Sequence, residues 1–216
     1  MVSKKQKLIE ACNKISRLGL IKGSSGNLSL RIDTERYLLT SSGCSLEHLK
    51  DQDIVTMSID GKIISGENPS SEWMIHGDLY KERSDIRSIV HTHSKYVCVL
   101  ACLHKELPPF HYMVAIAGGE NIRCCPYELF GTKKLSNNVI EAMKNRNACL
   151  MANHGLVVGS SSLANSVYIA EEVESLCEQY VNALAIGNVQ LLSQKQMKDA
   201  LEKFKNYGAI KKVEND

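Results

Sequence analysis

Residues 54–64 read Ile-Val-Thr-Met-Ser-Ile-Asp-Gly-Lys-Ile-Ile, two β-branched runs joined by Asp60-Gly61. Such a segment is a β-hairpin, because Asp-Gly supplies a turn whose twist matches that of the flanking strands. The hairpin commits its part of the sheet to antiparallel pairing. Strand patterns recur at Leu28–Ile32, Tyr37–Thr40, Ile86–His93, Ile122–Cys125, Ala148–Met151 and Leu156–Val158. Between them stand helical patterns. Leu8, Ile9, Cys12, Ile15 and Leu18 recur at helical spacing up to Gly19, and further helices are expected over 72–82, 95–103, 132–144, 162–185 and 193–204. Hairpins mixed with helices predict an α/β sandwich with a mixed, largely antiparallel sheet. With no internal repeat or linker, residues 1–216 read as one domain.

Charge narrows the function. Lys and Arg total 26 against 24 Asp and Glu, a formal net charge of +2, which points to neither nucleic acid nor an acidic membrane surface as partner. The first residues lack the apolar core of an export signal, and no stretch approaches the ~20 apolar residues of a membrane span. A cytoplasmic chain with reduced thiols is therefore expected. All eight cysteines read as small core fillers, since no Cys-x-x-Cys pair occurs. The basic residues Lys4, Lys5, Lys7, Lys211 and Lys212 read as solvated tails, and Glu171-Glu172-Val173-Glu174 as the exposed face of a long helix.

The most informative run is Val90-His91-Thr92-His93-Ser94. Residues two apart on a strand share a face, so His91 and His93 aim both imidazoles at one point, and Ser94 is placed to cap the next helix. Taken alone, the pair reads equally as two metal ligands or as two surface histidines. A third histidine, in Asn153-His154-Gly155, lies in a loop between two apolar runs, where burial would demand a polar partner. Glu72, in Pro69-Ser70-Ser71-Glu72-Trp73, is either a helix-start residue favoured by the dipole or the acidic partner of those histidines. Three Ser/Gly segments are anion-binding candidates: Gly23-Ser24-Ser25-Gly26-Asn27, Thr40-Ser41-Ser42-Gly43 and Ser70-Ser71, whose hydroxyls and first-turn amides face the same helix start. With no Walker-type Gly-Lys-Ser/Thr, they suggest a phosphorylated small molecule rather than a nucleotide. His48, His76, His104 and His111 read as surface or hydrogen-bonded structural residues.

The order and spacing of these motifs resemble the class II aldolases of the L-fuculose-1-phosphate aldolase type. The resemblance runs from the first helix to Lys205-Asn206-Tyr207-Gly208, and includes His111-Tyr112-Met113 with Gly118-Gly119, Phe130-Gly131-Thr132 and His154-Gly155-Leu156. It implies a three-layer α/β/α sandwich and one Zn2+ per subunit held by Glu72, His91, His93 and His154. It implies phosphate held by Gly26, Asn27, Ser42, Gly43, Ser70 and Ser71 with Ser24 close by, and an aldehyde side walled by Phe130, Phe204 and Tyr207. The implied assembly is a homotetramer with active sites between subunits, Tyr112 serving the neighbouring site by protonating the aldehyde oxygen. Without the resemblance, Tyr112 reads as a boundary tyrosine.

The reaction so implied is reversible cleavage of a ketose 1-phosphate to dihydroxyacetone phosphate and an aldehyde, with L-fuculose 1-phosphate and L-lactaldehyde expected first. A divalent cation stabilises the enediolate as a Lewis acid, and Glu72 shuttles the proton at the nucleophilic carbon. Substrates such as 5-deoxyribulose 1-phosphate or its methylthio analogue remain open. The related L-ribulose-5-phosphate 4-epimerases generally carry Asp where Glu72 stands, and a methylthioribulose-1-phosphate dehydratase is less similar around Tyr112. A Schiff-base aldolase lacks a lysine in an apolar strand. A non-catalytic, adducin-like module would have lost the four ligand positions, which are intact here.

Overall fold

Ser3 opens the first helix, α1 (Lys4–Arg17), by accepting a hydrogen bond from the Gln6 amide at 3.1 Å, and the helix buries Leu8, Ile9, Cys12 and Ile15. The computed structural model describes residues 2–207. After α1 come β1 (Asn27–Arg31), β2 (Arg36–Thr40), β3 (Ile54–Ser58) and β4 (Ile63–Ser65). Then follow α2 (Trp73–Glu82), β5 (Ser88–Thr92), α3 (Lys95–Cys102), β6 (Cys124–Cys125) and α4 (Lys133–Ala142). The chain continues through β7 (Ala148–Met151), β8 (Gly155–Ser160), α5 (Leu163–Ile186) and α6 (Gln194–Tyr207).

The eight strands form one sheet in the order β4-β3-β2-β1-β5-β8-β7-β6. Every pair is antiparallel except β6 with β7, so the sheet is mixed and largely antiparallel as the hairpin required. Strand alternation sorts the core into two layers. Val90, Val158, Leu28 and Leu30 face one side with α1, α3, α5 and α6; Ile89, Val157, Tyr37 and Leu39 face the other with α2 and α4. Helices therefore cover both faces of the sheet.

Several boundaries differ from expectation for local reasons. The hairpin carries a bulge opposite Thr56 and Met57, where Ile64 is the extra, unpaired residue. The strand expected over 122–125 shortens to Cys124–Cys125 because Ile122 pairs instead with Leu107. Tyr112–Ala117 forms a 3₁₀ helix that no apolar periodicity announced. Lys4 and Lys5 are no tail: they lie in α1 and donate to the Ile32 carbonyl at 2.6 Å and the Asp51 carbonyl at 3.3 Å. Lys211 and Lys212 lie outside the described residues. Seven cysteines are buried or half-buried, but Cys102, at the end of α3, is exposed and fills no core. Among the described residues, no helix is long and apolar enough to cross a membrane.

Candidate metal centre and anion cradle

Antiparallel pairing gathers four chain ends at one edge of the sheet. β1 begins there at Asn27, opposite His91 near the end of β5; β8 begins there beside Thr92; and β2 ends there at Thr40. The loops leaving these ends carry His93, His154 and the Ser/Gly segments, and α2 starts beside them with Glu72 at its N-cap.

The three imidazoles pack edge to face in a triangle, with ring centroids 4.7, 5.0 and 4.8 Å apart. His91 Nε2 lies 2.8 Å from His93 Nε2 and 3.0 Å from Glu72 Oε2, and His154 Nε2 lies 3.4 Å from Glu72 Oε1. His91 is 1% exposed, and its Nδ1–H donates to the Leu156 carbonyl at 2.9 Å. That bond fixes the tautomer, so the Nε2 lone pair faces inward; a backbone acceptor behind a ligand histidine commonly serves this purpose. Glu72 Oε1 is buried and has no hydrogen-bond partner. Inward lone pairs and an orphaned carboxylate oxygen repel one another unless a positive charge sits among them. The donor atoms all lie within 4.8 Å of one another. Bonds of ~2.0–2.1 Å to a tetrahedral ion imply ligand–ligand edges of about 3.3 Å, close to the shorter separations here. Three imidazoles and one carboxylate suit a borderline divalent cation.

The electrostatics agree. Burial pushes the Glu72 carboxyl up, but in the cation-free site a proton on His91, with the nearby His154 and the hydrogen bond from Asn27, outweighs it and holds the group well below the usual carboxylate range; a bound cation would take the place of that proton. Burial also disfavours charge on His91, but Glu72 more than compensates and raises its pKa. Burial, reinforced by the neighbouring imidazoles, lowers His93 to about 3 and His154 to about 4. Both stay neutral through the physiological range, as a ligand must.

Above this cluster lies a cavity of 320 Å³ whose floor includes Glu72, His93 and His154. Its walls are the three Ser/Gly segments: Ser24, Gly26 and Asn27; Ser42 and Gly43; Ser70 and Ser71. The last two segments are laid side by side by a bridge between Ser41 and Pro69. The Ser42 amide donates to the Asn68 carbonyl at 2.7 Å, and the Ser70 amide to the Thr40 carbonyl at 3.1 Å. Those two amides are spent, so at these positions the hydroxyls, rather than the backbone, remain for an anion. Ser70 Oγ accepts from the Glu72 amide at 3.3 Å and keeps its own hydrogen. Among the described residues, no Lys or Arg lines the cavity. An anion against the Ser/Gly walls meets neutral donors while Glu72 and Glu128 also line the cavity, so a cation on the histidines would supply the positive charge that favours it.

Gly26 is irreplaceable for two reasons. Its φ is +105°, and an added Cβ would stand 2.7 Å from the His91 carbonyl oxygen, a backbone atom that cannot step aside. Gly26→Ala is expected to cost about 1–3 kcal/mol, a fall of a few to about 10 °C in Tm by thermal denaturation. An unchanged Tm would refute the close approach.

Of the residues expected on the aldehyde side, Phe130 lines the cavity and is 60% exposed. Phe204 does not line it; it stacks on Tyr112 with centroids 6.5 Å apart. Tyr112 is 54% exposed and likewise lies outside the lining of its own chain's cavity. The Tyr207 side chain lies outside the described residues.

The role of Glu174 escaped sequence reasoning. Ser94 does not cap α3 with its side chain; its hydroxyl is buried without a partner. Instead Glu174 of α5 accepts from the Tyr96 and Val97 amides, both at 2.9 Å, and pins the helix that follows His93. Glu174 was expected on an exposed face, but it sits one turn from buried Ala170 and Cys177, a spacing that carried the signal. His76, expected as a surface or hydrogen-bonded structural residue, is hydrogen-bonded and fully buried behind Glu72.

The sequence model of the "Class II Aldolase and Adducin N-terminal domain" family matches residues 6–181. The 5-methylthioribulose-1-phosphate/5-deoxyribulose-1-phosphate aldolase of Rhodospirillum rubrum is 44% identical over 201 residues, 93% of this chain and 90% of that one. The L-fuculose phosphate aldolase of Escherichia coli K12 is 40% identical over 204 residues, 94% of each chain. A solved structure of an L-fuculose 1-phosphate aldolase superposes with a TM-score of 0.90 at 41% identity, covering 95% of this chain and 98% of that one.

Proposed function

This chain belongs to the class II aldolase family, and from that membership we propose that it cleaves a ketose 1-phosphate reversibly to dihydroxyacetone phosphate and an aldehyde. The observation that carries the reading is the orphaned Glu72 Oε1 beside three inward-facing imidazoles on the floor of a Ser/Gly cavity. A divalent cation, one Zn2+ per subunit in our reading, supplies Lewis-acid stabilisation of the enediolate charge when held by Glu72, His91, His93 and His154. The Ser24–Asn27, Ser42–Gly43 and Ser70–Ser71 segments grip the phosphate and so fix the dihydroxyacetone half.

In the cleavage direction the bond between C3 and C4 breaks and its electron pair passes into the enediolate. The C4 hydroxyl gives up its proton, relayed by Tyr112, as the aldehyde carbonyl forms, and the Glu72 carboxylate takes up one proton and delivers it to C3, so that the step neither gains nor loses a proton. Tyr112 is the group we assign to the aldehyde oxygen. Its exposure, its stacking on Phe204 and its position outside its own cavity support service to the site of a neighbouring copy, within a homotetramer. The intact, buried cluster argues against a non-catalytic module. Eight free thiols support work in a reducing compartment such as the cytoplasm.

Relatives named for two kinds of ketose 1-phosphate stand at similar identity, and of the described side chains expected on the aldehyde side Phe130 alone lines the cavity. A pocket that merely accommodates a methyl group discriminates by about 1–3 kcal/mol. L-fuculose 1-phosphate and 5-deoxyribulose 1-phosphate are therefore both expected to release dihydroxyacetone phosphate, with kcat/KM values within about 200-fold of each other. A coupled assay over a panel of ketose 1-phosphates, with and without chelator, measures this. Activity should vanish with chelator and return with zinc; no release from any member of the panel removes the assignment.

A further inference from the structure

Behind Glu72 runs a ladder of buried polar side chains that the reaction as proposed does not use. Glu72, His76 and Tyr80 stand four residues apart at the start of and along α2; Asn27, Ser29 and Arg31 stand two apart on β1. Four helical residues rise about 6 Å and two strand residues about 6.6–6.8 Å, so the two series stay in step. The contacts follow that match. Asn27 Nδ2 donates to Glu72 Oε2 at 3.1 Å, and Asn27 Oδ1 meets His76 Nε2 at 2.5 Å. His76 Nδ1 lies 2.6 Å from Ser29 Oγ, which lies 2.7 Å from the Tyr80 hydroxyl. Arg31 closes the ladder, its guanidinium 4.6 Å over the Tyr80 ring.

The chemistry gives this chain one direction. An ionised carboxylate only accepts, so Asn27 must turn its amide nitrogen to Glu72 and its oxygen to His76. His76 must then carry its hydrogen on Nε2 and accept at Nδ1 from the Ser29 hydroxyl, which in turn accepts from Tyr80. Every hydrogen points toward Glu72. Burial pushes His76 down to about 3, so the ring is neutral and the tautomer is set by its partners. Asn27 keeps one amide hydrogen for the cavity it lines.

We propose that His76 is a positioning residue of the metal and acid–base site, holding the Asn27 amide in the one orientation that ties down Glu72 Oε2 and leaves Oε1 free toward the cation. Ser29 and Tyr80 hold His76 in turn. The inference rests on the functional reading above for the role of Glu72, but it concerns how firmly this chain presents a ligand. Outer partners of metal ligands commonly change affinity by ~10–100-fold.

The test compares His76→Gln with His76→Asn in the full-length protein. Glutamine carries an amide nitrogen to where Nε2 sits and can donate to Asn27; asparagine reaches only the Nδ1 position. Zinc affinity is read by competition with a chromophoric chelator, Tm by thermal denaturation, and dihydroxyacetone phosphate release at saturating zinc. His76→Asn should weaken zinc about tenfold and lower kcat more than it alters KM. His76→Gln should recover most of both losses, although the two variants melt at similar temperatures. Equal zinc affinities in the two variants, or losses that simply track Tm, would overturn the proposal. Should both variants fail to fold, Ser29→Ala removes the donor to Nδ1 with little change in volume. It should weaken zinc about threefold, less than the ~10–100-fold of a direct outer partner because Ser29 acts through both His76 and Asn27; unchanged affinity there also overturns the proposal. Wild-type protein that binds zinc yet cleaves no ketose 1-phosphate refutes the functional reading and leaves the zinc comparison decisive. Wild-type protein with no measurable zinc affinity refutes both.

Discussion

His91→Ala is expected to lower dihydroxyacetone phosphate release by at least about a thousandfold, equivalent to ~4 kcal/mol of transition-state stabilisation. No other histidine of the cluster is so central. His91 Nε2 is within 3.0 Å of both Glu72 Oε2 and His93 Nε2, whereas His154 meets Glu72 at 3.4 Å. The ring is also the most firmly held of the three, being 1% exposed and anchored through Nδ1 to the Leu156 carbonyl. Alanine removes the shared ligand and leaves Glu72 facing two weakly basic imidazoles. Zinc content by atomic absorption should fall with activity, and added zinc should not restore it. Wild-type turnover in this variant would show that the cluster is structural.

Glu72→Gln is expected to separate two roles of one residue. The substitution keeps the shape of the side chain and lets its carbonyl oxygen accept from Asn27, but it removes the charge and the capacity to carry a proton. Three imidazoles remain, so the variant should still take up zinc, more weakly than the wild type. General acid–base catalysis contributes typically ~10²–10⁴-fold, and kcat/KM should fall by that amount even at saturating zinc. The wild-type carboxyl is held well below its ordinary range by His91, His154 and Asn27, so it is ionised throughout neutral pH. Retained kcat/KM in the zinc-loaded variant would assign the proton to another group.

Much of this site is legible in the chain because its geometry follows from local rules. His-x-His on a strand puts two rings on one side, as the 4.7 Å centroid separation bears out. Gly23-Ser24-Ser25-Gly26-Asn27 reads as a turn that bends backbone toward an anion, and Gly26 adopts a conformation that side chains avoid. The residues that escaped are those whose partners are distant in sequence. Glu174 caps a helix that begins 79 residues earlier, at Lys95. The Ser42 and Ser70 amides are taken by the Asn68 and Thr40 carbonyls, partners that only the fold brings to them.

Periodicity in the sequence determined which side chains turn inward and in what order helices and strands follow, because strand alternation and helical repeat are properties of a few consecutive residues. The motif order likewise identified the family. The state of each polar group was decided by the tertiary structure alone. Whether His91 offers Nε2, whether Asn27 turns its nitrogen to Glu72 and whether His76 is neutral all depend on partners from other elements. A hydrogen-bonding group has no orientation of its own; the atom packed against it selects one.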